Sequence, residues 1–383
     1  MDCELLFDRL LELCIAEQWR GYDPYDGLSS PICRYFPKYL RIAWTQFFKR
    51  SPINFRKLVG IKKQENPKAL GLAARALLMV YRVTGKQHYR QQAEELLKRL
   101  YVLRSPGYGD YFCWGYSFAW QSRAFYLPAR TPSIVCTAFV ADAWLEHYEV
   151  CSEPSSLEIA ISACEFLLKF LNYKISGDEL CFSYTPLDNT QVHNANLLGA
   201  ALLARTSRYV NCGSYVEFAV KSAMFSIRRQ ASDGSWPYGM AANQQWIDSF
   251  HTGFVLVSLA DVITACQKAE WSSVLERGLR FYCRHFFLAD GTPKYYHNST
   301  YPIDIHSCAQ ALVTYARLSE YIPDAEAQLN RLLEWTLRHM YDKNKGYFYF
   351  QRRRLYINRI AYLRWSQAWM LYALAWVIYR LRS

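Results

Sequence analysis

The chain has 383 residues, a net charge of +12 and an apolar fraction of 51%. Only 20% of its residues are charged, which excludes a disordered chain because this much apolar surface can form a large core. The 30 Tyr residues and the positive charge together indicate a nucleic acid, an anionic glycan or an acidic membrane surface as partner.

Apolar helices rich in small residues recur along the chain roughly every 60 residues. The pattern predicts them at 69–83, 133–148, 193–209, 249–263, 304–318 and 364–378. More polar, amphipathic segments alternate with them at 86–103, 155–173, 214–230, 271–288 and 325–341. Helices near 4–19 and 35–50 supply the remaining polar partner.

The two sets predict two layers. The first set is apolar nearly all round and should be buried on every side, whereas the second has one apolar stripe and should face solvent. Six inner and six outer helices in alternation predict an all-α (α/α)6 barrel, with an open helical solenoid as the alternative. We expect residues 1–383 to form one domain, in which the helices of 1–60 pack on the barrel or complete it.

Long aromatic loops precede the inner helices, at 108–132, 177–192, 233–248, 290–303 and 345–363. Because all of them enter inner helices at the N-terminal end, they should gather on one rim. Turn signals followed by aromatic residues predict short β-hairpins there, at 233–238, 290–296 and 345–350. Loops this long are usually functional, so we expect a funnel into the barrel at this rim.

Titratable side chains cluster where the inner helices begin. We predict Asp248, Asp304, His193, His251 and His306 as catalytic residues, although Asp at a helix start is equally an ordinary N-cap. Two carboxylates on neighbouring helices suit inverting glycoside hydrolysis. Alternatively, His and Tyr could remove the C5 proton of a uronic acid and supply the acid that completes elimination, as in a polysaccharide lyase, or epimerisation. Sequence alone leaves both schemes open.

Further polar and aromatic residues near the same helix starts are predicted to bind substrate. They are Asn194, Asn196, Trp236, Tyr238, Trp246, Tyr301, Arg364, Trp365 and Gln367. The pairs Asp248/His251 and Asp304/His306 could also form a metal-ligand set, which is a nonspecific pattern. We predict neither a metal nor a cofactor.

An acidic oligo- or polysaccharide is the predicted partner. Nucleic acid is not expected, because the basic residues spread along the chain and no nucleic-acid motif occurs. No apolar run reaches the roughly 18 residues of a membrane span, and the acidic N-terminus does not match a secretion signal. The 12 Cys residues form no C-x-x-C pair, so we expect reduced thiols and a cytoplasmic location.

Two resemblances accompany these patterns. The Q-x-x-D-G-S-W segment at 230–236 resembles the repeats of terpene-cyclase and prenyltransferase toroids, but the D-x-D-D acid motif is missing, so cyclase chemistry is not implied. Motifs over nearly the full chain resemble poorly characterised bacterial toroid proteins encoded among capsule, exopolysaccharide and O-antigen genes. These motifs lie at 21–28, 193–199, 246–254, 301–307 and 364–369. That resemblance implies a role near polysaccharide, and an association with polysaccharide assembly proteins.

The sequence therefore predicts a polysaccharide-processing enzyme that cleaves a glycosidic bond or epimerises a uronate in an acidic glycan of bacterial surface-polysaccharide metabolism. The alternative is a noncatalytic glycan-binding or assembly factor that uses the same aromatic funnel.

Overall fold

The computed structural model describes residues 2–121 and 126–382. Its α-helices are α1 (Cys3–Ala16), α2 (Lys38–Arg50), α3 (Pro67–Thr84), α4 (Gln87–Val102), α5 (Ile134–Cys151), α6 (Pro154–Phe170), α7 (His193–Thr206), α8 (Gly213–Ile227), α9 (Ser249–Ala265), α10 (Ser272–His285), α11 (Ile305–Arg317), α12 (Ala325–Met340) and α13 (Ala368–Arg382). Its short strands are β1 (Trp120–Gln121), β2 (Tyr126–Leu127), β3 (Tyr173–Ser176), β4 (Glu179–Phe182), β5 (Ile303–Asp304), β6 (Tyr341–Asp342), β7 (Tyr347–Phe348), β8 (Gln351–Arg352) and β9 (Ile357–Asn358).

Within the described residues, six helices form a closed inner ring. α3, α5, α7, α9, α11 and α13 each pack against the next in this order, and α13 packs back on α3. The helices α4, α6, α8, α10 and α12 lie outside them, and α1 packs on α13 as the sixth outer helix. The chain is therefore an (α/α)6 toroid, as predicted, and the contact between α13 and α3 excludes the open solenoid.

Burial follows the composition of the two helix sets. Every residue of α7 is buried, whereas α10 buries one face and exposes the other. Small residues allow the inner helices to approach each other closely. A Cβ added at Gly199 would lie 2.5 Å from Cδ1 of Ile134 on the neighbouring inner helix, which is closer than packed atoms can come. The inner ring therefore depends on glycine at this position.

The long loops gather at the rim formed by the N-terminal ends of the inner helices. Antiparallel pairs β1–β2, β3–β4 and β6–β7 lie in them, together with the sheet β5–β8–β9. The predicted hairpin at 345–350 corresponds to β6–β7. The segments 233–238 and 290–296 form tight turns without longer strands, and in each an Asp side chain, Asp233 or Asp290, accepts the backbone N–H two residues on. A single antiparallel bridge between Phe287 and Pro293 spans the second turn. Residues 122–125 of the predicted 108–132 loop lie outside the described residues.

The segment before α3 covers part of this rim. Gly21 and Gln64 form an antiparallel bridge, and the backbone oxygen of Tyr22 accepts the N–H of Leu363 at the π-turn before α13. Helix α2 packs on the turn that begins at Asp26 and on β1 rather than in the outer ring. Of the two predicted N-terminal helices, α1 thus completes the barrel and α2 lies beside the funnel.

An ion network joins the inner helices in the half of the barrel away from the rim. Arg75 on α3 and Arg205 on α7 both bind the Asp142 carboxylate of α5, at 3.0 and 2.6 Å. Arg205 also reaches Glu149 at 3.2 Å. Removing one partner of such a buried network costs about 3–5 kcal/mol, because a charge is left unpaired. These basic residues are used in the barrel itself and do not contribute to the charge at the rim.

Candidate functional site

A cavity of about 540 Å³ opens at the rim, where the funnel was predicted. The first turns of the inner helices and the aromatic loops line it. The predicted site residues that reach it are Asn194, Tyr238, Trp246, His251, His306, Arg364 and Trp365. Among the described residues that line the cavity there is no Asp or Glu. The cavity therefore offers imidazole, phenol, amide and cationic groups but no carboxylate of its own.

The Asp248 carboxylate holds the His251 ring in a fixed orientation. Asp248 is the N-cap of α9, and its Oδ1 accepts the backbone N–H of His251 at 3.0 Å. Its Oδ2 lies 2.7 Å from His251 Nδ1 and accepts the Trp246 indole N–H at 2.9 Å. Since an ionised carboxylate only accepts, Nδ1 carries the hydrogen and Nε2 is the free nitrogen. Asp248 itself is buried and does not line the cavity, whereas the His251 ring does.

The second predicted acid, Asp304, has a different environment. It caps α11 through the backbone N–H of His306 at 2.9 Å, and the same oxygen accepts the Trp365 indole N–H at 2.8 Å. Its other oxygen accepts the Gln351 amide at 2.9 Å. Burial raises the pKa of Asp304 to about 6, against the lowering effect of these hydrogen bonds. The carboxylate lies behind Trp365 and does not line the cavity.

His306 lines the cavity with both ring nitrogens free of hydrogen-bond partners, although the residue is only 1% exposed. Its ring centroid lies 4.5 Å from Phe250, 4.6 Å from Trp365 and 4.4 Å from Trp369. Burial lowers the pKa of His306 well below its usual value, and the nearby cations lower it further. The ring is therefore neutral, and both of its nitrogens are buried without a hydrogen-bond partner.

Two cations reach the cavity beside this histidine. Arg364, before α13, makes a bidentate pair with the Asp23 carboxylate at 2.6 and 2.8 Å. Lys68, in the first turn of α3, has its Nζ 4.3 Å from the ring centre of Phe139 and 5.1 Å from that of Trp369. Burial and the charge of Arg364 lower the pKa of Lys68 well below its usual value. An anionic ligand would relieve the cost of this desolvated, positive environment.

Two predicted substrate-binding amides serve the fold instead. Asn196 accepts the backbone N–H of Phe182 at 3.0 Å and donates to the Ser222 carbonyl at 2.8 Å. Gln367 accepts the N–H of Phe348 at 2.9 Å and donates to the oxygen of the same residue at 2.8 Å. Both therefore fasten rim strands to inner helices.

Three other predicted residues also lie outside the main cavity. His193 is buried, and its Nδ1 pairs with the Ser226 hydroxyl at 3.1 Å. The Trp236 indole donates to the Ser226 carbonyl at 2.8 Å, which holds the Q-x-x-D-G-S-W loop against α8. Tyr301 is exposed and precedes the cis peptide bond to Pro302. None of the three is among the described residues that line the cavity.

Several lining residues were missed by the sequence reasoning, namely Tyr25, Lys49, Lys68, Tyr116, Tyr184, Tyr295 and Tyr296. Lys68 could have been identified from the sequence, because nothing in its local sequence accounts for a single lysine in the first turn of an apolar helix. Tyr116, Tyr184, Tyr295 and Tyr296 had only a general signal, since they lie in the predicted aromatic loops. Tyr25 lies in the motif at 21–28. Lys49 donates to the Tyr25 hydroxyl at 2.6 Å, so α2 also contributes to the wall.

Metal-ligand geometry does not coincide with this cavity. Within residues 2–121 and 126–382, the one group of three or more ligand atoms close enough to hold an ion is formed by Glu94, His147 and Cys151. That group lies between α4 and α5, at the outside of the barrel. The alternative ligand set of Asp248, His251, Asp304 and His306 does not converge in this way.

Fold and site together define the class: a closed (α/α)6 toroid with its cavity at the aromatic rim.

No protein-family model and no curated protein matches the sequence. A cellobiose 2-epimerase from Bacillus thermoamylovorans B4167 has a TM-score of 0.66 at 12% identity, over 83% of this chain and 88% of its own. The Lin0763 protein from Listeria innocua has a TM-score of 0.64 at 12% identity, over 98% and 97%. The unsaturated glucuronyl hydrolase from Bacillus sp. GL1 has a TM-score of 0.57 at 14% identity, over 79% and 84%.

At these identities the likenesses show the fold alone, and the chemistry depends on the residues of the cavity. Among the described helices none is long and apolar enough to cross a membrane.

Proposed function

We propose that this chain is a glycan-processing enzyme that epimerises an acidic sugar by removing and returning a proton at carbon. One observation carries the proposal. The cavity contains two histidines with free nitrogens, one oriented by Asp248 and one neutral and unpartnered, and the described wall contributes no carboxylate. Proton transfer next to a carbonyl or carboxylate needs a base and an acid of this kind.

The roles of the two histidines follow from their surroundings. Asp248, bound to Nδ1, stabilises positive charge on the His251 ring whenever Nε2 carries a proton, so we assign His251 as the proton donor. His306 is neutral and serves as the base once a rotation of its buried ring brings one nitrogen to the substrate. Its basicity rises when an anionic sugar offsets the charges of Lys68 and Arg364, which otherwise lower its pKa. After one turnover His306 carries the proton and His251 has lost one, and exchange with water restores both.

The cations stabilise the intermediate. When the proton leaves carbon, negative charge develops on the adjacent carboxylate or carbonyl oxygen. Lys68 and Arg364 both line the cavity, are themselves buried, and would face that charge. Asp23 holds the guanidinium of Arg364 at a fixed position through two hydrogen bonds. Asn194 also lines the cavity, and its Oδ1 is a buried acceptor without a partner.

Paired-carboxylate hydrolysis has less support. Both Asp248 and Asp304 are engaged by three hydrogen bonds each and lie behind residues of the wall. Either acid would have to leave its cap before it could reach a glycosidic oxygen. The shared fold of a cellobiose 2-epimerase supports epimerisation as a reaction that this architecture accommodates, and that of an unsaturated glucuronyl hydrolase supports an acidic glycan.

We also infer the setting from the sequence motifs. The resemblance to toroid proteins of capsule, exopolysaccharide and O-antigen gene clusters supports a role in bacterial surface-polysaccharide metabolism. A cytoplasmic location and an association with polysaccharide assembly proteins are part of this proposal. A noncatalytic glycan-binding factor is the second candidate, favoured by the stacked pair Tyr238 and Trp246, whose ring centres are 4.5 Å apart at the cavity wall.

Deuterium exchange tests the proposal. The protein is incubated in D2O with oligosaccharides of uronic acids, and NMR follows loss of the C5 proton signal. Wild type should exchange, and His251→Gln and His306→Gln should each lower the rate by about 100-fold or more. His88→Gln, at an exposed position of α4, is the control and should exchange like wild type. Binding of these sugars without exchange by wild type would instead identify the glycan-binding factor.

A further inference from the structure

One region of the surface combines positive charge with exposed apolar side chains. Residues 27–64 contain nine Lys or Arg and no Asp or Glu, so they account for nine of the twelve excess positive charges of the chain. Basic residues occur along the whole chain, but this segment has no acidic residue to offset them. Two of the nine pair with acids outside the segment, Arg56 with Asp26 and Lys63 with Glu17. The segment comprises helix α2 and its flanking loops, beside the cavity mouth.

Helix α2 is amphipathic in an unusual sense, because apolar residues occupy its outward face. Thr45 and Phe48 are buried against the rest of the protein. Tyr39, Ala43 and Phe47 are exposed at spacings of four residues and form a stripe on the opposite side. A helix that belonged only to the barrel would place polar residues there.

Neighbouring loops extend this apolar stripe. The Phe47 ring stacks on Phe55 at 5.9 Å, and the Tyr356 hydroxyl donates to the Arg50 carbonyl at the end of α2. Leu355, at the tip of the β8–β9 hairpin, is 91% exposed. In the segment 27–64, Tyr39 is 82% exposed and Leu58 is 81% exposed. We call this surface the α2 face, formed by the exposed residues of 34–58 and 353–356.

Basic side chains surround the apolar stripe. Arg34 and Lys38 lie at the start of α2, Arg50 at its end, and Lys57 and Arg354 in the adjoining loops, all of them exposed. Large apolar and aromatic side chains ringed by Lys and Arg are typical of helices that lie in the interface of an anionic bilayer. The apolar groups enter the acyl boundary, while the cations bind phosphate headgroups.

We propose that the α2 face binds the surface of an anionic lipid bilayer as a peripheral membrane site. Charge decides between this occupant and a second copy of the chain. A symmetric dimer through the same face would bring two sets of basic residues together, which is unfavourable. A soluble polyanion would satisfy the charges but would leave Tyr39, Phe47 and Leu355 in water. An anionic bilayer satisfies both sets of groups.

Sedimentation with lipid vesicles tests the proposal, and it needs no catalytic activity. The full-length protein should bind vesicles made of equal parts phosphatidylglycerol and phosphatidylcholine, and bind phosphatidylcholine vesicles at least tenfold more weakly. Each basic residue near an anionic surface contributes roughly a fivefold change, so the triple variant Arg34→Gln, Lys38→Gln, Lys57→Gln should bind about 100-fold more weakly. Binding should also weaken as salt is raised.

A matched charge control removes three exposed basic residues from outer helices: Lys98→Gln, Arg280→Gln and Arg284→Gln. This variant has the same net charge as the first and should retain at least a third of the wild-type affinity. If both triple variants lose affinity equally, the net charge and not the α2 face is responsible, and the proposal fails.

A second pair of triple variants tests the apolar side chains. The first set combines Tyr39→Ser, Phe47→Ser and Leu355→Ser, and the control set combines Leu5→Ser, Val102→Ser and Leu381→Ser at exposed positions elsewhere. Only the first set should weaken vesicle binding, with circular dichroism melts checking that both remain folded. Two results would overturn the proposal: wild-type protein that binds dextran sulfate but not anionic vesicles, or a dimer in sedimentation velocity that the first set dissociates. If the apolar variants unfold, the two charge variants still test the proposal independently.

Discussion

The substitution Asp248→Asn separates a histidine-positioning role from direct acid catalysis. In the protein, Asp248 Oδ2 accepts both the His251 Nδ1–H and the Trp246 indole N–H. An Asn Nδ2 at that place is a donor and faces two donors. The His251 ring must then switch tautomer so that Nδ1 accepts, which places the hydrogen on Nε2 and withdraws the stabilisation of the imidazolium.

The magnitude follows from the bond that is lost. A hydrogen bond to a charged group contributes about 1.5–3 kcal/mol, and about 1.4 kcal/mol corresponds to a factor of ten. Asp248→Asn should therefore lower the rate of C5 deuterium exchange by about 10- to 150-fold. The cap of α9 remains, because Asn is as good an N-cap as Asp. The melting temperature should accordingly change little, since the exposed Trp246 indole can bind water instead.

Asp304→Asn is the matched comparison. Asn Oδ1 can still accept from His306 N–H and Trp365. When the Gln351 amide turns over, its Oε1, which has no partner in the native protein, accepts from the Asn Nδ2. The exchange rate should stay within about threefold of wild type. Equal losses in the Asp248 and Asp304 variants, with unchanged melting temperatures, would refute the positioning role and favour the paired-acid mechanism. An unaffected Asp248→Asn variant would refute both roles for this carboxylate.

Three further predictions follow from single contacts. Lys68→Met should raise KM for a uronate substrate at least tenfold in steady-state assays and leave KM for a neutral analogue nearly unchanged, because the ammonium faces only anionic groups of the ligand. The pKa of Asp304 is raised to about 6 in the folded chain and is near 4 in the unfolded chain, so the folded protein holds this proton more tightly. As pH rises from about 4 to about 6, the free energy of unfolding of wild type should therefore fall by about 3 kcal/mol relative to that of Asp304→Asn in urea titrations. A constant difference between the two proteins would contradict this. Gly199→Ala should lower the free energy of unfolding by about 1–3 kcal/mol because of the close Ile134 methyl, whereas Gly213→Ala, with open space around its Cβ, should be neutral or stabilising in the same titration.

The architecture could be predicted because its signal is repeated. Each inner helix is apolar all round, each outer helix has one stripe, and the alternation recurs often enough to fix the ring. Closure itself depends on the contact between α13 and α3, which lie at opposite ends of the sequence. The absence of strands at 233–238 was not predictable from turn residues alone. Asp-Gly favours a tight turn, and only tertiary pairing determines whether strands continue from it.

The roles of the two acids differ through one residue of spacing. His251 follows its cap by three positions, and its ring turns back onto the Asp248 carboxylate. His306 follows Asp304 by two, so only its backbone N–H reaches the cap, and the ring points into the cavity without a partner. The sequence contained this difference, but two similar motifs on equivalent helices suggested equivalent roles. The orientation of a side chain at the first turn of a helix determines which interpretation holds.

The convergence of the inner helices explains why carboxylates are present at the rim even if none reacts with substrate. Each inner helix directs its N-terminus, with unsatisfied N–H groups and a partial positive charge, toward the same opening. Arg364 adds a full charge there, and Lys68 adds another when a bound anion favours its protonated form. Asp248, Asp304 and Asp23 compensate this potential from behind the wall, by capping helices or by pairing with Arg364. The part of the cavity surface formed by described residues thereby has no carboxylate and attracts an anion, which is the property that a uronate-binding site requires.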